Sequence, residues 1–240
     1  MNRIPRLPLD DQLPRSGPFA SLGCRDILYR NSLASAGDLF DWRLEGQATM
    51  TFPKNRLRLE NVLPADEGQR ANFVLWCPVA FPDGICVEFD FHPIREPGLA
   101  MLWFAARGRD GHDLFDPALP RRTGEYDQYR HGAIDAYHAA YFRRGRPGAF
   151  QICNLRKSRG FHLVAQGGDP IPSLVYEPPY RVRMLIRDGH IQFEIDELVI
   201  YTWHDDGSIG GPPLAGGHIG FRQMAPLVAE YGNLEVRRLV

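Results

Sequence analysis

Short stretches in which apolar and polar residues alternate recur along the chain, and they predict strands. Arg56-Leu57-Arg58-Leu59-Glu60 alternates cleanly. Phe73–Pro78, Ile85–Phe91, Met101–Arg107, Tyr137–Arg144, Phe150–Leu155 and Phe161–Ala165 are apolar or alternating runs too short for helices. Ile27–Tyr29, Trp42–Glu45 and Ala48–Phe52 read as earlier strands, with Asp38–Trp42 a short helix or turn. The segment from Tyr180 onward is the most regular. Tyr180–Ile186 and His190–Ile195 form a hairpin about Asp188-Gly189, a dipeptide suited to a tight turn. Leu198–Trp203, Gly216–Arg222 and Leu234–Leu239 follow as further strands. The pattern is all-β, with antiparallel neighbours joined by hairpins.

That ending, a hairpin, a short strand, a glycine-led strand and a final strand, resembles concanavalin A-like jelly rolls. The resemblance implies a β-sandwich of two antiparallel sheets, one of which presents a curved trough to a glycan. Residues 1–22 hold four prolines and little periodicity, which predicts an extended N-terminal arm; 23–240 then read as one jelly-roll domain. Between Gly108 and Ile134 the chain is long, polar and rich in Gly, Pro, Asp and Arg. Long loops of this kind in compact domains are often functional.

Composition narrows the function classes. A chain of 240 residues with 44% hydrophobic content can bury a full core. Its 28 basic and 29 acidic residues nearly cancel, which argues against nucleic acid or an anionic membrane as partner. No apolar run approaches the roughly 20 residues of a membrane span. The N-terminal residues carry charge without an apolar core behind them, so no secretory signal is expected. Cys24, Cys77, Cys86 and Cys153 are far apart without a CxxC pair, which reads as reduced thiols in a cytoplasmic protein. Oligomeric state is left open.

The chemistry-bearing residues cluster in a few segments. A strand's period of two puts Tyr137, Tyr141 and Arg143 on one face of residues 137–144, and His138, Ala140 and Phe142 on the other. The second set suits the inter-sheet core, which leaves the phenols and the guanidinium lining the trough. Tyr141, His138 and Arg143 are the candidate catalytic residues, although His138 reaches the trough only if a bulge reverses it. The saccharide reading stands on this trough face, and sealing of its tyrosine- and arginine-bearing side chains in the interior would end it. Candidate substrate-binding residues are Tyr137, Asn154, Arg156 and Arg107 on strands or at their ends. Tyr126, Gln128 and Tyr129 in the long loop, Trp203 beside two aspartates, and Arg222 complete the set. Each also has a plain structural reading, as core, loop packing or solvated charge.

Carboxylate pairs matter because glycosidases use two. Glu88 with Asp90 and Glu194 with Asp196 share strand faces, and a solvated face is the better account of each pair. No metal-ligand spacing or phosphate loop is present, and no cofactor is expected. His112-Asp113-Leu114-Phe115-Asp116 offers oxygens for a structural calcium, with loop capping the simpler account.

Several segments together resemble the YesU-like proteins, a bacterial domain of unknown function placed with concanavalin A-like lectins and glucanases. They are Met101–Gly108, Leu114–Pro117, Tyr126–Tyr129, Tyr137–Arg144, Asn154–Lys157 and Gly217–Met224. Ala140 departs from the serine expected there. The resemblance implies a role with pectin- or rhamnogalacturonan-type oligosaccharides and assigns no mechanism to particular residues. Elimination fits Arg143, Arg156, Asn154, Tyr141 and His138. Hydrolysis needs two carboxylates, either Glu88 with Asp90 or Asp127 with Asp205. Non-catalytic glycan binding is the alternative.

Overall fold

The computed structural model describes residue 19 and residues 22–146, 151–171 and 179–240. Two antiparallel sheets face each other. One runs in the order β13 (Leu198–His204), β12 (His190–Ile195), β11 (Tyr180–Arg187), β6 (Ile85–Arg95), β15 (Val228–Leu239), β4 (Leu57–Asn61) and β3 (Ala48–Thr51). An eighth strand, β1 (Cys24–Asn31), also pairs with β15. The other has seven strands: β10 (His162–Gly168), β9 (Ile152–Ser158), β8 (Ile134–Arg144), β7 (Gly98–Gly108), β14 (Gly217–Met224), β5 (Phe73–Phe81) and β2 (Arg43–Glu45). The expected sandwich is therefore present. Nearly all of the expected arm, residues 1–18, 20 and 21, lies outside the described residues, as does Phe150.

The core forms where the inward faces meet. Along β6, Val87, Phe89 and Phe91 point inward and are wholly buried, while Glu88 and Asp90 take the outer face. Aromatic rings knit the sheets together: Phe89 and Phe221 lie 5.0 Å apart, Phe91 and Tyr141 5.0 Å, and Phe221 and Tyr231 4.7 Å. Such edge-on and tilted pairs add to the stabilisation from burial alone. Cys24, Cys77, Cys86 and Cys153 are free thiols.

Strand β8 departs from the expected facing. Tyr137, Ala139 and Tyr141 point into the inter-sheet core, and both tyrosines are wholly buried there. His138 and Ala140 point to the outer face instead. Met101 pairs with Ala140 and Ala100 with Tyr141, but Gly98 pairs with Arg144, so β8 carries one residue more than β7. This bulge centres on Phe142, whose φ is 45°. It turns Phe142 inward beside Tyr141 and delivers Arg143 to the same outer face as His138. The expected grouping of Tyr137 and Tyr141 with Arg143 is thus corrected. The physical reason is volume: large phenyl rings fill the core that Ala139 alone would leave open, and the bulge restores Arg143 to solvent.

The long loop after β7 packs down on the outer face of the seven-stranded sheet. It holds α1 (Asp127–Arg130), and with the sheet it builds a second small core from Val74, Trp76, Trp103, Leu114, Tyr129, Ile134 and Ala136. Glu45 on β2 pins it: its carboxylate accepts Trp76 Nε1 at 2.9 Å and Tyr129 Oη at 2.8 Å, and pairs with Arg122 at 2.7 Å. Gly124 is required at its crossing point, because φ is +93° and a Cβ would lie 2.1 Å from the Asn72 carbonyl oxygen. The loop covers only part of the sheet, and the uncovered part is a cleft.

Candidate functional site

The cleft has a volume of about 560 Å³, within the ~300–1,000 Å³ typical of small-ligand sites. Its floor is made by outward residues of four neighbouring strands: Leu99 and Met101 of β7, His138 and Ala140 of β8, Asn154 and Arg156 of β9, and Met224 of β14. Tyr126 closes one side from the long loop, Phe161 forms part of the rim before β10, and Arg143, Arg144 and Gln151 stand at the far ends of β8 and β9.

His138 and Tyr126 form the polar centre. Tyr126 Oη and His138 Nε2 lie 2.6 Å apart, and the His138 ring rests on Trp103 with centroids separated by 4.2 Å. Burial, reinforced by the guanidinium groups of Arg156 and Arg222, lowers the pKa of His138 from its usual 6.5 to about 3, so the imidazole is neutral. Burial raises the Tyr126 phenol to about 12, and the nearby charges of Arg222, Arg156 and Arg130 oppose that rise.

Charge among the described lining residues is of one sign. Arg143 is exposed and makes no ion pair with any described residue. Arg156 donates to the Phe161 carbonyl at 3.0 Å, and its guanidinium carbon lies 3.7 Å from the centroid of the Phe161 ring. Arg144 is committed to Asp169 at 2.7 Å. Asn154 Oδ1 accepts from Gln166 at 2.8 Å, leaving the Asn154 amide N–H groups for the cleft. No Asp or Glu appears among the described lining residues. Opposite the cations lies an apolar wall of Leu99, Met101, Met224 and Pro226.

Of the residues expected at the site, His138, Arg143, Tyr126, Asn154 and Arg156 come together here. The rest do not. Tyr141 is in the core, and Tyr137 donates to Asp205, which also pairs with the buried Lys157 at 2.7 Å. Arg107 donates to the carbonyls of Ala215 and Gly216, at 2.8 Å to the latter. Gln128 donates to Thr123, Tyr129 is bound to Glu45, and Trp203 packs edge-on against Tyr137. Arg222 sits behind the cleft, wholly buried, donating to Gly124 O at 2.5 Å and Gln69 Oε1 at 3.2 Å beneath the Tyr126 ring. It positions Tyr126 and does not line the site. Gln69, Gln151 and Phe161 line the cleft although sequence reading passed them over. Phe161, an aromatic directly after a glycine turn, carried the one usable signal.

The carboxylate pairs fall elsewhere. Glu88 and Asp90 lie on the outer face of the other sheet, bound by Arg181 and Arg183, and Glu194 pairs with Arg183 at 2.9 Å. Asp127 pairs with Arg130, and Asp205 is buried. Asp113 and Asp116 accept the backbone N–H groups of Phe115 and Ala118 at 2.8 Å, as loop caps do. No group of three or more potential metal ligands occurs among the described residues.

Residues 26–236 match the family described as a domain of unknown function, DUF1961. The chain belongs to this family. It is 51% identical over 216 residues to the uncharacterized protein YesU of Bacillus subtilis, covering 89% of this chain and 96% of that protein. A Bacillus subtilis protein of unknown function with a galectin-like fold superposes with a TM-score of 0.86 at 49% identity, over 91% of this chain and 99% of that one. The carbohydrate-binding module CBM66 from Bacillus subtilis superposes with a TM-score of 0.52 at 12% identity, over 83% and 96%. That last likeness is one of fold.

Proposed function

We propose that the cleft binds an acidic oligosaccharide of the plant-wall type and cleaves it by elimination. The observation that carries this reading is the joint presence of unpaired guanidinium and the Tyr126–His138 pair in a cleft whose described lining has no carboxylate. The tyrosine face of β8 no longer supports it, since those rings are buried. Arg143 and Arg156 suit a uronate carboxylate, which an Arg fork can grip in bidentate fashion. The apolar wall of Leu99, Met101 and Met224 suits a less polar neighbouring sugar, as in a rhamnogalacturonan unit. A carbohydrate-binding module sharing the fold is in keeping with a glycan ligand. Four free cysteines favour a cytoplasmic setting.

Hydrolysis by paired carboxylates finds no support at this site, because the nominated pairs lie elsewhere. Elimination needs a cation to neutralise the uronate and a group to move one proton. Tyr126 Oη takes the C5 proton while its own proton passes to His138 Nε2. The C4–O bond breaks as the C4–C5 double bond forms, and the proton returns through Tyr126 to the departing oxygen. Pairing of the substrate carboxylate with Arg156 cancels one of the charges that, after burial, hold the proton affinity of His138 low.

One observation favours a second reading, binding without turnover: the wholly buried, weakly basic imidazole already has Tyr126 as its partner. Incubation with rhamnogalacturonan and oligogalacturonate fragments separates the two. Elimination yields a new ultraviolet-absorbing double bond, and Tyr126→Phe lowers its rate by about a hundredfold or more with binding retained. Saccharide binding with no new double bond supports the second reading. New reducing ends without the absorbance would show hydrolysis and refute both.

A further inference from the structure

A trough across a sheet of this kind serves the interior of a polymer only if it is open on both sides. Here one side is blocked. Across β5 and β2, and over Arg222 of β14, the outer face of the seven-stranded sheet is roofed by the long loop and by the turn Ala65–Ala71. Arg222, Val74 and Trp76, the outward residues of β14 and β5, are wholly buried beneath it. On β2, Glu45 is taken up by Arg122, Trp76 and Tyr129.

The wall is fastened at the point where a saccharide would have to pass. Gln69 Oε1 accepts from Tyr126 N at 3.3 Å, Arg222 Nη2 at 3.2 Å and Asn72 Nδ2 at 3.1 Å. Asn72 Oδ1 in turn accepts from Ala225 N at 3.1 Å. The turn is therefore bonded both to the segment carrying Tyr126 and to the segment that ends the cleft at Ala225-Pro226. On the opposite side the cleft opens, among the described residues, toward the sheet edge at β10, where Phe161 is 45% and Leu163 41% exposed. From β9 to β14 the open floor spans roughly 14 Å at the usual strand spacing, a length suited to a short run of sugar rings.

We infer that the cleft takes the end of an acidic saccharide chain, entering over β9 and β10 and stopping against Gln69. It does not take an internal stretch. The inference rests on the saccharide-binding reading above and assigns Gln69 as the residue that sets the stop.

A length series tests it: galacturonate, its short oligomers, and polygalacturonate cut to several mean lengths, with a matching rhamnogalacturonan series. Binding is measured by calorimetry at equal sugar mass, and products are sized early in any reaction. An end-binding cleft predicts signal in proportion to chain ends, so halving the mean length doubles the binding. Any products are then of one small size from the start. Binding that is independent of the number of chain ends, or an early fall in polymer viscosity, overturns the inference and leaves the saccharide reading standing. Absence of binding at every length in both series overturns the two together.

Discussion

On the outer face of the eight-stranded sheet, Arg183 lies between Glu88 and Glu194, and Arg181 reaches both Glu88 and Asp90. Arg30 and Arg237 flank Glu235 beside them. On the outer face of the seven-stranded sheet, Arg143 meets no described carboxylate and Arg156 rests on a phenyl ring. The two faces carry similar side chains, yet the first neutralises its own charge, whereas Arg143 and Arg156 of the second meet no carboxylate among the described residues. Ion pairs at a surface contribute little to stability, typically ~0–1 kcal/mol. The cations of the cleft, unpaired among the described residues, contribute nothing there either; under the proposed reading they serve an incoming anion.

Exchanging the same substitution between the two faces is the strongest way to break this contrast. Arg143→Ala should weaken binding of an acidic oligosaccharide by roughly ten- to hundredfold, the effect of one lost charge-assisted hydrogen bond or pair. Its thermal midpoint should stay at the wild-type value. Arg183→Ala should do the reverse. It leaves Glu88 and Glu194, both largely buried, without their shared cation, and should cost about 2 kcal/mol with binding unchanged. Calorimetric titration and thermal unfolding of both variants read the result. Equal binding losses from the two substitutions would dissolve the distinction between the faces.

Acid sharpens the comparison further. His138 is neutral in the fold, with its pKa lowered to about 3, whereas in the unfolded chain it takes a proton near 6.5. The unfolded state therefore binds more protons between those values. The stabilising effect is fully present above about pH 6.5 and is lost as pH falls toward 3. The slope is about 1.4 kcal/mol per pH unit in that window. His138→Phe should flatten the acid limb of the stability curve by that amount, in denaturant titrations at pH 5.5 and 4.5. An unchanged slope would mean that His138 is protonated in the folded cleft.

How far the sequence disclosed all this differs by level. Strand positions were legible because Arg56–Glu60 alternates and Asp188-Gly189 marks its own hairpin. The long loop stood out through its length, and it sets Tyr126 against His138 in the cleft. Which face of β8 lines the cleft was hidden. Strict alternation assigns the core to His138 and Phe142, but a bulge at Phe142 lets two successive rings point inward. Nothing in Tyr141-Phe142-Arg143 marks that bulge, since no glycine takes the left-handed position. Gln69 was equally silent. Its place depends on three donors distant in sequence that only the folded loops bring together.

The smallest expected effect is also the most direct check on that correction. Tyr141 is enclosed by Phe89, Phe91 and Phe193, and burial pushes its phenol well above its ordinary value, so it gives up no proton near neutrality. Tyr141→Phe keeps the ring and removes one hydroxyl. It should change stability by no more than about 1 kcal/mol and leave saccharide binding and turnover at wild-type levels. The same assay on Tyr126→Phe supplies the contrast, because both substitutions delete a phenol oxygen and only one of the two faces the cleft. A loss of turnover in Tyr141→Phe with an unshifted thermal midpoint would show that substrate reaches the inter-sheet side of β8, and would remove Tyr126 and His138 from the centre of the site.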